Sequence, residues 1–314
     1  MSPPEHSQGR PALPQRTADD VSIQVLGEVT AEQAGAVFSL AAAAGAADGA
    51  GPLSEEVLLH LRYGGDSQAR NLLLYSGGQL AGYAHLAPPG PQVRSGELVI
   101  HPAQRERGLG RALLQELLAL GGGAEVRLWA HGDLPAAGRL AAAAGLSRAR
   151  ALWQMRRPLA EPLPAPAYPA GVALRTFRPG QDEDAWLAVN ARAFASHPEQ
   201  GRWGRADLLR REQEPWFDPA GFFLAERNGR LAGFHWTKVH TPSVGEVYVV
   251  GVNPQEQGTG LGRALTLTGL HHLRERGLGE VMLYVDEGNS AAIRLYESLG
   301  FAHTGTDVMF QRPA

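Results

Sequence analysis

The sequence predicts two tandem α/β domains, and an internal repeat is the main reason. Residues 98–111 return as residues 250–263, with Gly108 matching Gly260 at a shift of 152 positions. Each copy reads as a strand that leads into a glycine-rich loop and then into a helix. A repeat of this length is typical of a duplicated domain rather than of a solenoid unit.

Length and composition agree with this division. The chain has 314 residues, 44% of them hydrophobic, enough for two cores of about 150 residues each. Residues 1–17 are rich in Pro, Gln and Ser and predict a mobile tail. Four prolines in 159–170 favour an extended linker. We therefore expect an N-terminal domain at 18–158 and a C-terminal domain at 171–314.

The sequence pattern of each half predicts the same elements: a strand, two helices, a three-stranded meander, a long helix, a strand, a helix and a last strand. In the second half they fall at about 172–177, 183–194, 205–213, 221–227, 231–239, 245–252, 260–275, 280–285, 290–299 and 303–311. This pattern favours, in each domain, a mixed and mostly antiparallel sheet flanked by helices.

Composition excludes several classes of function. A net charge of −3 gives no support to a nucleic-acid or membrane-surface partner. No apolar run approaches the roughly 18 residues of a membrane span and no signal pattern opens the chain, so we expect a cytosolic protein. The absence of cysteine excludes disulfides, thiolate metal sites and a cysteinyl acyl intermediate. Lys238 is the only lysine, which excludes a lysine-containing nucleotide loop at either glycine run.

The glycine loop at 257–263 is suited to binding a pyrophosphate. Its glycines allow successive backbone N–H groups to point into one concavity, and the following helix adds the positive end of its dipole. A Rossmann loop is excluded because Arg263 occupies the position that needs Gly or Ala.

The two halves differ where acid–base chemistry would occur. Tyr296 of the second half aligns with Ala141, and Glu246 aligns with Arg94. The first half therefore lacks both a phenol and a carboxylate at these positions, which predicts that it binds its ligand without catalysis.

Glu97 is the nearest carboxylate that the first half offers. It lies three residues before Ile100, whereas Glu246 lies six residues before Val252. If both strands are regular, this odd offset places Glu97 on the opposite face of its sheet.

The pattern Arg/Gln-x-x-Gly-x-Gly at 105–110 and 257–262, together with 289–301, resembles the acetyl-CoA loop of the GNAT acetyltransferase family. The resemblance implies that loop amides bind the CoA pyrophosphate in each half. It also implies that residues 250–252 present backbone groups to pantetheine, on a strand that a bulge splays from its neighbour. One acetyl-CoA per domain and no metal are expected.

The resemblance assigns the following residues to acetyl-CoA: Leu98, Val99, Ile100, Glu106, Arg107, Gly108, Leu109, Gly110, Arg111, Val250, Gly251, Val252, Gln257, Gly258, Thr259, Gly260, Leu261, Gly262, Arg263, Asn289, Ser290, Ala291, Ala292, Ile293 and Arg294.

Aminolysis of a thioester needs a neutral amine and a protonated leaving thiol. An α-amine with a pKa of about 7.7 to 8.0 needs only modest help. Glu246, acting through water, suits the base, and the family resemblance gives Tyr296 the role of the acid.

Four longer phrases, at 196–203, 214–219, 233–240 and 245–252, resemble a branch of the family whose members acetylate the cysteinyl α-amine of a cysteinyl-glucosaminyl-inositol. This resemblance implies direct transfer in a ternary complex. It assigns five residues to the acceptor: Glu55, Glu199, Lys238, Glu246 and Tyr284. Carboxylates and a lysine suit a ligand rich in hydroxyl groups.

Some alternatives remain open at this stage. Glu55 follows Ser54 and equally fits the acidic first turn of a capped helix. The acceptor could be another amine, such as a protein N-terminus or an aminoglycoside. A non-catalytic acyl-CoA sensor is the alternative of a different class. We expect a monomer.

Overall fold

The computed structural model describes residues 21–90, 93–195, 197 and 200–312. The predicted N-terminal tail and the predicted acceptor residue Glu199 lie outside these ranges. The chain divides into two compact units between Val126 and Arg127. None of the helices in the described ranges is both long and apolar enough to cross a membrane.

The first unit is a four-stranded antiparallel sheet with three helices. Its elements are β1 (Val21–Leu26), α1 (Ala31–Asp48), α2 (Glu55–Tyr63), β2 (Arg70–Ser76), β3 (Gln79–Leu86), β4 (Val93–Ile100) and α3 (Leu109–Leu120). The strands pair in the order β1-β2-β3-β4. Thr30 begins α1 with a capping box to Gln33, and Gly49 ends it in the left-handed conformation.

The second unit is built on a larger mixed sheet. The boundary between the units falls within β5 (Glu125–Ala130), so the second unit begins with the part of this strand from Arg127 onward. Its other elements are α4 (Pro135–Ala143), β6 (Ser147–Pro158), β7 (Val172–Thr176), α5 (Glu183–Ala193), α6 (Arg205–Glu212), β8 (Phe222–Arg227), β9 (Arg230–Thr241), β10 (Val244–Val252), α7 (Leu261–Glu275), β11 (Glu280–Asp286), α8 (Ser290–Glu297) and β12 (Ala302–Gln311). The strand order is β5-β12-β6-β11-β10-β9-β8-β7. β10 and β11 pair in parallel, and their neighbours pair antiparallel.

Strand β6 has an unexpected position. It precedes the proline-rich segment 159–171, which forms no helix or strand, yet it lies between β11 and β12 and pairs with both along most of its length. The compact units therefore divide upstream of β6. The domain ranges given above stay a prediction.

All ten elements predicted for the second half are present, with ends within about two residues of those expected. The predicted fold class, a mostly antiparallel sheet flanked by helices, is confirmed.

The sheet of the second unit has two differently packed faces. On the side of α5, an aromatic cluster includes Trp186, Phe222 and Trp236, with the Trp186 ring edge-on to the other two. On the side of α7 and α8, the core is mostly aliphatic and includes Leu270 and Leu283. Which of the two faces a residue of β9, β10 or β11 occupies decides its surroundings.

Candidate active site

The centre of the site is a gap in the sheet between β10 and β11. The two strands pair only at their beginnings, where Val244, Gly245 and Glu246 lie beside Glu280, Val281 and Met282. Beyond Glu246 the pairing stops, although β10 continues to Val252 and β11 to Asp286. Backbone groups of 247–252 on this edge thus have no β11 partner and are available to a ligand.

A β-bulge on β10 lies beside this gap. Val247 pairs with Thr237 and Val249 with Trp236, so Tyr248 is the extra residue that shifts the register between β10 and β9. Bulges of this kind re-aim side chains and are common next to active sites. Because of this extra residue, Tyr248 and Val249 both pack on the aromatic side of the sheet.

The bulge overturns one sequence prediction. Glu97 was expected to lie on the opposite face from the position of Glu246. However, β4 pairs with β3 without a register shift, and Glu97 accepts a hydrogen bond of 2.7 Å from the backbone N–H of Ser54, at the start of α2. Glu246 lies on the face of its own sheet that α5 covers, and this face corresponds to the one that carries Glu97 in the first sheet. The prediction was wrong because it assumed a regular β10.

Glu246 is the buried carboxylate beside the gap. It is 5% exposed, and its Oε2 lies 2.7 Å from Nε2 of His240. Lys238 is its direct cross-strand neighbour on β9. The Lys238 ammonium lies 4.5 Å from the ring centroid of Trp216 and 5.0 Å from that of Tyr248, which are cation–π distances.

Tyr284 lies on β11, on the same side as Glu246. Gln154 of β6 donates a hydrogen bond of 3.1 Å to its hydroxyl group. Although Tyr284 is 44% exposed, surrounding protein atoms desolvate the phenol, and the carboxylates of Asp307 and Glu246 add to this, so that its pKa is raised to about 12. Its hydroxyl group therefore stays protonated and can donate to a ligand.

Tyr296 lies on the opposite face. It belongs to α8, is 7% exposed, and its ring packs edge-on against Phe301. Burial raises the pKa of Tyr296 to about 12, so the phenol remains a proton donor at neutral pH. Val247 of β10 packs in the same cluster. The gap between β10 and β11 therefore has Glu246 on one side of the sheet and Tyr296 on the other.

The glycine loops of the two units have matching backbone conformations. In the second unit Gly258 and Gly260 have φ values of 76° and 88°, and in the first unit Glu106 and Gly108 have 63° and 80°. In each loop the second of these residues begins the following helix, and no side chain caps that end. The first amides of both helices are thus left for an anionic ligand.

Other predicted acetyl-CoA residues have structural partners as well. Arg263 donates to Ser298 at 2.8 Å, and Thr259 donates to the Glu256 carbonyl oxygen at 2.8 Å. The Asn289 side chain accepts from the backbone N–H of Ala292 and begins α8.

The remaining predicted acceptor residue, Glu55, is the first residue of α2 in the first unit. Ser54 is the N-cap of that helix, with its side chain accepting from Val57. Glu55 therefore has the capped-helix context that the sequence analysis left open. In the described part of the chain, no cluster of His, Asp and Glu could hold a metal ion.

Sequence reasoning missed two neighbours of the site. Gln154 comes from the strand before the linker, so no local pattern links it to Tyr284. The sequence analysis does not assign His240 to the site, because its contact with Glu246 depends on strand pairing that the sequence alone does not give.

Comparison with known proteins agrees with this geometry. The family described as Acetyltransferase (GNAT) matches residues 45–145 and 188–301. The chain belongs to the GNAT acetyltransferase family. Both matched segments contain one glycine loop, so the family is present twice.

Among curated relatives, the mycothiol acetyltransferase of Thermobispora bispora is 67% identical over 283 residues, which cover 88% of this chain and 95% of that protein. The mycothiol acetyltransferase of Thermomonospora curvata is 60% identical over 287 residues, covering 91% of this chain and 95% of that protein.

Solved structures show the same fold over nearly the whole chain. A GCN5-related N-acetyltransferase from Sphaerobacter thermophilus is 28% identical with a TM-score of 0.69, covering 93% of this chain and 96% of its own. A tandem GNAT protein from the clavulanic acid biosynthesis pathway is 23% identical with a TM-score of 0.71, covering 92% of this chain and 98% of its own.

Proposed function

We propose that the protein is a mycothiol acetyltransferase. It transfers acetyl from acetyl-CoA to the cysteinyl α-amine of a cysteinyl-glucosaminyl-inositol and releases mycothiol and CoA. The observation that carries the proposal is the gap between β10 and β11, with Glu246 on one side of the sheet and Tyr296 on the other. The names of the relatives supply the acceptor.

Glu246 removes a proton from the acceptor amine, directly or through one water, and the neutral nitrogen then attacks the thioester carbonyl carbon. When the C–S bond breaks, Tyr296 donates its phenolic proton to the leaving sulfur. The chain contains no cysteine, and transfer is direct within a ternary complex.

The acceptor has hydroxyl groups along its sugar and inositol rings, and the polar residues of the second unit suit them. Lys238 and the protonated Tyr284 are hydrogen-bond donors for these groups, and Glu246 is an acceptor. Glu199 and Glu55 complete the proposed acceptor set. Direct transfer also requires the site to favour the amine over the acceptor's own thiol, which is a matter of orientation.

The proposal includes a second, non-reacting acetyl-CoA at the first glycine loop, because residues 106–108 share the backbone conformation of residues 258–260. It also includes a monomer that works in the cytoplasm.

The test is a comparison of acceptors. Purified protein with acetyl-CoA should acetylate the cysteinyl pseudodisaccharide in preference to a peptide N-terminus or an aminoglycoside, with product identified by mass spectrometry. Preference for either of the other amines would contradict the acceptor assignment. Binding of CoA without turnover of any amine would instead support an acyl-CoA sensor.

A further inference from the structure

A second β-bulge lies on the other side of Glu246, on β9. Gly245 pairs with Val239, and Val244 pairs with Thr241, so His240 is an extra residue of β9 without a partner on β10. Together with the bulge at Tyr248, this arrangement places Glu246 between two irregularities on adjacent strands. Because a bulge re-aims the side chain of its extra residue, the bulge in β9 determines the direction of the His240 ring.

The His240 ring is directed at the carboxylate. Its Nε2 lies 2.7 Å from Oε2 of Glu246, the short distance expected of a charge-assisted hydrogen bond. Two further groups near Glu246 also have contacts of their own. Lys238 lies over the rings of Trp216 and Tyr248, and the Tyr284 hydroxyl accepts from Gln154.

The exposure of the two partners differs. The side chain of Glu246 is 7% exposed and that of His240 is 33% exposed. The imidazole therefore bridges the buried carboxylate and the solvent-accessible surface. A donor in this place holds the carboxylate in one rotamer, so that its other oxygen can face the acceptor amine.

We propose that His240 is a positioning residue for the acetyl transfer, and that its Nε2–H fixes the orientation of the Glu246 carboxylate as the general base. The proposal rests on the proposed function, because it gives Glu246 the role of base. It predicts that His240 acts through Glu246 alone and makes no contribution to the binding of acetyl-CoA.

The experiment compares His240→Leu with His240→Gln, since the glutamine amide retains an N–H donor and does not titrate. Loss of a hydrogen bond to a charged group corresponds to about a 10- to 100-fold lower kcat for His240→Leu. The KM for acetyl-CoA should not change. His240→Gln should recover most of the lost rate. His271→Leu is the matched control, because the His271 ring of α7 contacts the Pro164 carbonyl oxygen, and this variant should keep the wild-type rate.

A double-mutant cycle decides whether the effect passes through the carboxylate. In a Glu246→Gln background, His240→Leu should lower kcat no further. An equal loss in both backgrounds, an unchanged rate for His240→Leu, or no recovery with His240→Gln would each overturn the proposal. Thermal unfolding of each variant separates loss of fold from loss of rate, and His240→Ala, which also lacks the donor, carries the test if His240→Leu does not fold.

The wild-type protein distinguishes this proposal from the proposed function. If the wild-type protein acetylates the pseudodisaccharide and substitution of His240 does not change the rate, only the role of the histidine is excluded. Absence of wild-type turnover would remove the proposed function and this inference together.

Discussion

Glu97 and Glu246 are buried to the same extent, at 5% exposure each, but they have different surroundings. Glu97 accepts the backbone N–H of Ser54 and is thereby tied to the start of α2. Glu246 accepts a side-chain donor and lies where β10 begins to separate from β11. The comparison teaches that burial and strand position do not make a carboxylate a base. Their hydrogen-bond partners distinguish the two: a backbone amide for Glu97 and a side-chain imidazole for Glu246.

The largest expected effect concerns these two carboxylates. Glu246→Gln should lower kcat by about 10²- to 10⁴-fold, because the amide cannot take a proton from the amine. Glu97→Gln keeps an oxygen that can accept from Ser54 and should leave kcat unchanged. Steady-state rates of the two variants check this, and an equal loss in both would show that the contrast between the carboxylates is mistaken.

The second-largest expected effect concerns Tyr296, which aligns with Ala141 in the first half. Tyr296→Phe should lower kcat by about 10²-fold, the low end for a general acid, with little change in the KM for acetyl-CoA. Because burial raises the pKa of Tyr296 to about 12, the acid remains protonated as pH rises. The wild-type kcat should therefore keep its value from pH 8 to about 10, the ordinary pKa of a phenol. A rate that Tyr296→Phe leaves unchanged would exclude its role as acid.

The glycine loops offer a smaller and sharper test. Gly260 and Gly108 have φ values of 88° and 80°, and a Cβ at either would meet no atom within 4 Å. Alanine there adds backbone strain of about 1–2 kcal/mol without a clash. Because the strained loop leaves this conformation when no ligand is bound and must return to it on binding, Gly260→Ala should raise the KM for acetyl-CoA about 5- to 30-fold. Gly108→Ala should leave steady-state kinetics unchanged and reduce the CoA retained by the protein in native mass spectrometry.

If the wild-type protein retains a single CoA in that measurement and Gly260→Ala abolishes it, the first loop does not bind CoA. Equal kinetic effects of the two glycine variants would mean that both loops serve turnover.

The smallest effect is expected at Gln154, which links the first half of the chain to the second site. Gln154→Leu removes the donor to the Tyr284 hydroxyl and should raise the KM for the pseudodisaccharide about three- to tenfold, as expected of one neutral hydrogen bond. The KM for acetyl-CoA should stay the same. In a Tyr284→Phe background the same change should have no further effect, and an additive loss would contradict the contact.

Local signals explain what could be predicted from the sequence. The glycines at 258 and 260 determine a left-handed backbone wherever they occur, and the helix after them follows from its apolar periodicity. The elements of the second half were therefore predicted closely. The base role of Glu246 came from the needs of aminolysis and the acid role of Tyr296 from a family resemblance, and both stay predictions until the variants are measured.

Non-local pairing explains what could not be predicted. The bulges at His240 and Tyr248 are set by the register between β9 and β10, which apolar alternation does not specify at each residue. The face of Glu97 was consequently predicted wrongly. The contact between Gln154 and Tyr284 joins residues that are 130 positions apart, and no periodic pattern extends across such a separation.

The position of β6 between β11 and β12 bears on how the chain folds and evolves. During synthesis β6 is completed before either neighbour exists, so its two edges are not both paired until the last strand is made, and closing such distant pairs is slow. The same pairing of β6 also restricts loss of the part of the gene that encodes the first repeat. Deletion of the first repeat would remove the strand on which the second sheet depends, so the first repeat can lose its chemistry and still be required for folding.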